Sequence, residues 1–154
     1  MKIYVAGASR EVNDIVPFIT ALRQAGHEIT FDWTEEVLEY QRTATSTKTP
    51  LTTEKRLECA LADANGVLDC DLLWVCCPQP ESHSVGCWTE LGIAIGASGC
   101  GRTKQVVVSG QWRRSPHTEY IFTELSHPQF DTHEEALSYL CALTKTEVAE
   151  APHG

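Results

Sequence analysis

No stretch of this 154-residue sequence approaches the roughly 18 consecutive apolar residues that a membrane-spanning helix needs. Met1 to Gly7 runs directly into a strand pattern, so no signal peptide is expected and the expected compartment is the cytoplasm. Positive charge is scarce: 12 Lys and Arg face 21 Asp and Glu, a formal net charge of −9. That balance opposes non-specific binding to nucleic acid polymers and to anionic membranes. The seven cysteines (Cys59, Cys70, Cys76, Cys77, Cys87, Cys100 and Cys141) are odd in number and form no C-x-x-C pair. They read as reduced core residues, and no reactive-cysteine motif supports a redox function. No Cys/His set has zinc-ligand spacing, so no metal site is expected. The first loop, Gly7-Ala8-Ser9-Arg10, lacks the G-x-G-x-x-G fingerprint, which leaves NAD or FAD binding unsupported.

What is present is an alternation of strand and helix patterns. Lys2 to Ala6 reads as a strand, and Val12 to Ala25 as a helix on Ile15, Phe18, Ile19 and Leu22, stopped by Gly26. His27 to Phe31 follows as a second strand. Glu35 to Tyr40 is at best a short helix, and Thr43 to Thr53 reads as a loop, either a lid or a plain linker. From Glu54 a helix is expected, capped by Thr52 or Thr53, with Leu57, Leu61, Ala64 and Leu68 as its apolar stripe and Asp63 off that stripe. Asn65-Gly66 suggests that it loosens or ends there.

The apolar run Asp71 to Cys77 reads as a buried parallel strand, and Gln105 to Ser109 as a fourth. Gly110 to Pro116 is expected to be a polar loop and Thr118 to Leu125 a short helix. Gln129 to Asp131 is a weak fifth strand, and Thr132 caps a last helix reaching about Thr144. The pattern predicts a single-domain, three-layer α/β/α fold with a five-stranded parallel sheet of flavodoxin or Rossmann type, covering residues 1–144, with a frayed tail over 145–154.

Between the third strand and its following helix lies Pro78 to Gly92, at the place where open α/β sheets bind ligands. Glu90 is expected in the first helical turn, where the dipole favours its ionised form and the carboxylate can act as a nucleophile. The competing reading is that an acidic residue there merely stabilises the helix.

Three stretches together resemble the nucleoside 2-deoxyribosyltransferase family, which includes the deoxynucleoside 5′-monophosphate N-hydrolases. They are Ile3 to Gly7, Asp63 to Val67 followed by Asp71 to Leu73, and Ser84 to Gly86 with Glu90 to Ala94. The resemblance implies cleavage of the N-glycosidic bond of a 2′-deoxynucleoside or its 5′-monophosphate, with transfer of deoxyribose to another nucleobase as the leading expectation and release of free base from a 5′-monophosphate as the alternative. Glu90 matches the nucleophile, Asp63 the second carboxyl group that helps the base depart, and Tyr4 the tyrosine that orients the nucleophile. Gly7 and Gly86 fall within the matched loops. Ser84 and Arg10 match 5′-phosphate contacts of the hydrolases, and Thr118 matches a polar residue reaching a neighbouring subunit's site.

The resemblance further implies a homo-oligomer and no cofactor. Trp33, after the second strand, is placed either to stack on the base or to pack. Two positions depart from the pattern: Ala8 stands where the hydrolases have a serine, and Trp88 where both branches have a glycine. Asp71 reads as structural. The alternative from another class is a nucleotide-binding or sensing module without turnover.

Overall fold

The computed structural model describes residues 1–43, 50–79, 82, 84–101, 104–111 and 121–143. Five strands form one parallel sheet: β1 (Lys2–Ala6), β2 (Glu28–Ile29), β3 (Leu72–Cys76), β4 (Gln105–Ser109) and β5 (Gln129–Phe130), in the order β2-β1-β3-β4-β5. The helices are α1 (Val12–Gln24), α2 (Trp33–Thr43), α3 (Thr53–Asp69), α4 (Gly86–Gly99) and α5 (His133–Ala142). The chain is therefore one α/β domain with helices on both faces of the sheet. α1 and α5 pack together on one face, and α3 with α4 on the other.

β3 sits at the centre because every residue from Leu72 to Cys76 is fully buried, as expected for a strand covered on both faces. On the α1 side, Phe18 packs against Trp74 with ring centroids 5.4 Å apart. Trp74 Nε1 donates to Ser109 Oγ at 2.9 Å, and that oxygen lies 2.7 Å from His133 Nδ1. Ser109 has no exposed surface, so this relay ties β3, β4 and α5 together rather than presenting a nucleophile. Burial holds the His133 imidazole below its usual range.

Helix ends follow the residues available. Gly26, at φ +90°, takes the left-handed conformation that stops α1. Thr52 Oγ1 accepts the Lys55 N–H at 3.2 Å, which selects Thr52 as the cap of α3. Thr132 and Glu135 form a reciprocal capping box at the start of α5. Asp71 is structural, because its Oδ2 accepts the Lys2 N–H at 2.8 Å at the amino end of the sheet.

Four expectations are corrected. The second helix is longer than Glu35 to Tyr40, running over Trp33–Thr43, because Asp32 holds its first turn. Asp32 Oδ1 accepts the Thr34 N–H at 3.2 Å, while Oδ2 meets Arg23 at 2.8 Å. α3 does not loosen at Asn65-Gly66 but continues to Asp69. Its inward face is also not the expected stripe: Leu57 and Leu61 are 61% and 54% exposed, and the buried residues are Gly66 and Val67. Finally, not all cysteines are core, since Cys100 is exposed and Cys59 and Cys141 are half-buried; all seven are free. Most of the Thr43 to Thr53 loop, the Gly110 to Pro116 loop beyond Gln111, Thr118 and the 145–154 tail lie outside the described residues.

Candidate active site

Tyr4 is the middle residue of β1, and alternation along the strand sends its side chain to the α3–α4 face. β1 pairs directly with β3 at Tyr4–Leu73. α3 enters β3 and α4 leaves it, so both helices flank the Tyr4 ring. The Tyr4 hydroxyl lies 2.8 Å from Asp63 Oδ1 on α3 and 2.9 Å from Glu90 Oε1 on α4. Three residues far apart in the chain thus share one oxygen.

Glu90 falls one turn inside α4, not in its first turn as expected, because the helix opens at Gly86. Free amides of the helix start therefore do not hold it ionised. Glu90 is 8% exposed, and burial pushes its carboxyl up to about 7; the Asp63 charge adds to this and the Tyr4 hydrogen bond opposes it. Burial raises Asp63 too, opposed by the Tyr4 bond and reinforced by the charge of Glu36. The Tyr4 phenol is driven far upward by burial and by the two neighbouring carboxylates. It stays protonated.

A phenol has one proton to donate, so it serves one carboxylate at a time. The second short oxygen–oxygen contact is favourable only when the other carboxyl carries a proton and donates it to the phenol oxygen. One carboxylate and one carboxylic acid bridged by a neutral tyrosine is the arrangement this geometry prefers, and the titration belongs to the pair. It supplies an anionic nucleophile and a proton donor side by side. Glu90 Oε2 is buried with no hydrogen-bond partner among the described residues, which leaves an acceptor lone pair uncommitted.

The remaining expected residues divide. Gly7 follows β1, over Ile15 and Trp33, and Gly86 is the exposed first residue of α4. Ser84 is half-buried just before α4, three residues ahead of the buried Cys87. Arg10 is exposed in the turn Ser9–Glu11 after β1. These four gather at the carboxyl ends of β1 and β3. Trp33 packs: it is 8% exposed, and its Nε1 donates to the Val5 carbonyl at 2.8 Å. Of the departures, Ala8 is buried and Trp88 packs half-buried against the core.

Two contributors were not singled out from the sequence. Glu36 on α2 accepts from Lys55 Nζ at 3.0 Å and from Cys59 Sγ at 3.1 Å, and its charge acts on Asp63. Lys55, Cys59 and Asp63 recur at four-residue spacing on α3, a signal for a shared face. Gly66 is the other, with the Tyr4 ring packed directly on its backbone.

Glu11 links the first loop to the β3–α4 loop, its Oε1 accepting the Gln79 N–H at 2.8 Å and the Ser82 hydroxyl. A separate cavity of about 370 Å³ beside Lys104, Gln105 and His127 lies at the amino end of β4 and contains no carboxylate. Among the described residues no cluster of three or more His, Cys, Asp or Glu is arranged to hold a metal ion, and no helix is long and apolar enough to cross a membrane.

No family model matches the chain, and no curated protein matches it. Among solved structures it is similar to the Clostridium botulinum CMP N-glycosidase BcmB, with a TM-score of 0.54 and 16% sequence identity over 91% of this chain and 98% of that one. The likeness extends over nearly the whole domain, and what the two chains share at that identity is the α/β fold.

Proposed function

We propose that the protein cleaves the bond between base and sugar of a 2′-deoxynucleoside or its 5′-monophosphate through a covalent glycosyl ester on Glu90. The observation that carries this reading is the Tyr4 hydroxyl within 2.9 Å of two carboxyl groups on different helices, Glu90 buried and Asp63 half-buried. Such a cluster, desolvated and holding one shared proton, suits a reaction that needs a nucleophile and an acid together.

In the first step a Glu90 oxygen bonds C1′ as the C1′–N bond breaks. The electron pair leaves with the base, which takes the proton from Asp63. A carboxylate so placed stabilises the oxocarbenium-like transition state before bonding to it. In the second step water attacks C1′, its proton passes to the Asp63 carboxylate, and Glu90 departs as a carboxylate. A second nucleobase in place of water would give transfer instead, through the same ester. The CMP N-glycosidase named for the similar structure supports water as the acceptor and a 5′-monophosphate as substrate. Ser84, Arg10 and the amides opening α4 at Gly86 are the groups proposed for the phosphate.

The protein is further proposed to self-associate. Leu57 and Leu61 are exposed on α3, and α4, the helix beside it, carries no charged residue apart from the buried Glu90. Sedimentation equilibrium that finds only monomer would remove this part.

The deciding experiment is chromatography of free base after incubation with each ribo- and 2′-deoxynucleoside and each 5′-monophosphate, with and without a second base. Base release by the wild type and not by Glu90→Ala is expected, with the variant still folded. Retained activity in that variant sinks the mechanism. Ligand binding without any release makes the protein a non-catalytic nucleotide-binding module.

A further inference from the structure

Gly66 occupies a point where α3 lies directly against the Tyr4 ring of β1. A Cβ at this position would stand 2.8 Å from Tyr4 Cδ2, 2.8 Å from Tyr4 Cε2 and 2.8 Å from Phe31 Cβ. Carbon atoms do not approach that closely, so any side chain here must displace the helix or the ring. The ring has little room to retreat. Tyr4 has no exposed surface, and its strand is paired on both edges, with β2 and with β3. The requirement is spatial, because the left-handed glycines among the described residues are Gly26, Gly101 and Gly110, not Gly66. The helix is also pinned at this point, since Thr30 Oγ1 donates to the Gly66 carbonyl at 2.8 Å.

Asp63 precedes Gly66 by three residues, which places the two on one face of α3. The separation that Gly66 permits is therefore the separation at which Asp63 meets the Tyr4 hydroxyl. We infer that Gly66 is a positioning residue for the active site: its missing side chain lets α3 close on the Tyr4 ring, so that one hydroxyl reaches both Asp63 and Glu90. The role in turnover rests on the proposed glycosidic reaction; the geometry does not.

The test is Gly66→Ala, read first by NMR titration of the Glu90 carboxyl carbon and second by turnover. The Tyr4 hydrogen bond lowers the Glu90 titration point, so loosening it should move that point upward, in the direction given by Tyr4→Phe. Base release should fall by about tenfold or more in kcat with KM within about twofold, as expected when a group is misplaced rather than removed. A folded Gly66→Ala protein with an unchanged Glu90 titration overturns the proposal, whatever the substrate proves to be. A shifted titration in a protein that releases no base from any substrate keeps the positioning role and removes the glycosidase reading.

If Gly66→Ala is too unstable to titrate, the double variant Tyr4→Val/Gly66→Ala decides, measured by urea unfolding against Tyr4→Val alone. A smaller cost of the Gly66→Ala change without the ring assigns the clash to Tyr4. An equal cost in both backgrounds overturns it.

Discussion

The hydroxyl of Tyr4 and the carboxyl of Glu90 lie 2.9 Å apart although 86 positions separate them in the chain. Asp63 reaches the same hydroxyl across 59 positions. The contact depends on three elements arriving at one face of the sheet: β1 for the phenol, α3 for Asp63 and α4 for Glu90. Its chemical consequence is that the carboxyl protons are shared, so substitutions at any one of the three act on the other two.

The rate should follow the Glu90 carboxylate. Glu90 is pushed up to about 7 and the reaction needs one ionised and one protonated carboxyl, so kcat/KM is expected to rise as pH climbs toward neutrality and to fall again once the pair has lost its shared proton. Because the Tyr4 bond lowers that value, the rising limb in Tyr4→Phe should move to higher pH. A limb that stays in place when Tyr4 is changed would exclude Glu90 as the titrating group.

The same titration acts on stability with a definite sign. Glu90 binds its proton more tightly in the folded protein, near 7 against the usual 4.5, so its contribution is full below about 4.5 and is lost as pH rises to about 7. Glu90→Gln removes this dependence and should stabilise the protein relative to wild type by on the order of 2 kcal/mol at about pH 8, with the advantage shrinking toward about pH 4.5. Urea unfolding at the two pH values measures it, and an advantage that grows on acidification would contradict the burial argument.

Asp63→Asn keeps the shape and removes the proton that the departing base needs. Base release should fall by about 10²- to 10⁴-fold for substrates with poor leaving groups. A substrate whose base departs without protonation, such as a nitrophenyl-type glycoside, should lose much less. Equal losses on both substrate types would assign Asp63 to structure rather than to acid catalysis.

Trp33→Phe tests whether this indole packs or contacts substrate. The buried Nε1–H bond to the Val5 carbonyl at 2.8 Å would be lost, costing about 1 kcal/mol or somewhat more, or roughly 3 °C in Tm for a domain of this size. KM for any substrate should stay within about twofold. A raised KM with an unchanged Tm would instead make Trp33 a base-stacking residue.

Thr132→Ala removes the cap of α5, far from the carboxyl cluster. A loss of about 1 kcal/mol is expected, with the Glu90 titration unchanged. Calorimetry and the same NMR titration check both halves.

Local order was legible in the sequence because local physics sets it. Lys2 to Ala6 and Gln105 to Ser109 are short apolar runs bounded by polar or turn residues, and both strands occur as expected. Thr132 followed three residues later by Glu135 is a capping box that needs no tertiary contact. Where the sequence misled, a long-range contact had outweighed the local signal. Glycine at position 66 suggested a helix end, yet the helix continues, because the absent side chain is needed by a ring that β1 brings from 62 positions away.

Element order, strand identity and the presence of two carboxylates and a tyrosine in motif positions were therefore determined by the sequence alone. Periodicity and capping are short-range properties, and the motif residues can be read without knowing where they meet. The tertiary structure decided which face of α3 turns inward, that Trp33 is pinned in the core, and that Glu90 is buried one turn inside α4 instead of lying in its first turn. Above all it decided the protonation chemistry. A carboxyl titrating near 7 beside a phenol that stays protonated exists only when β1, α3 and α4 close over it and exclude water.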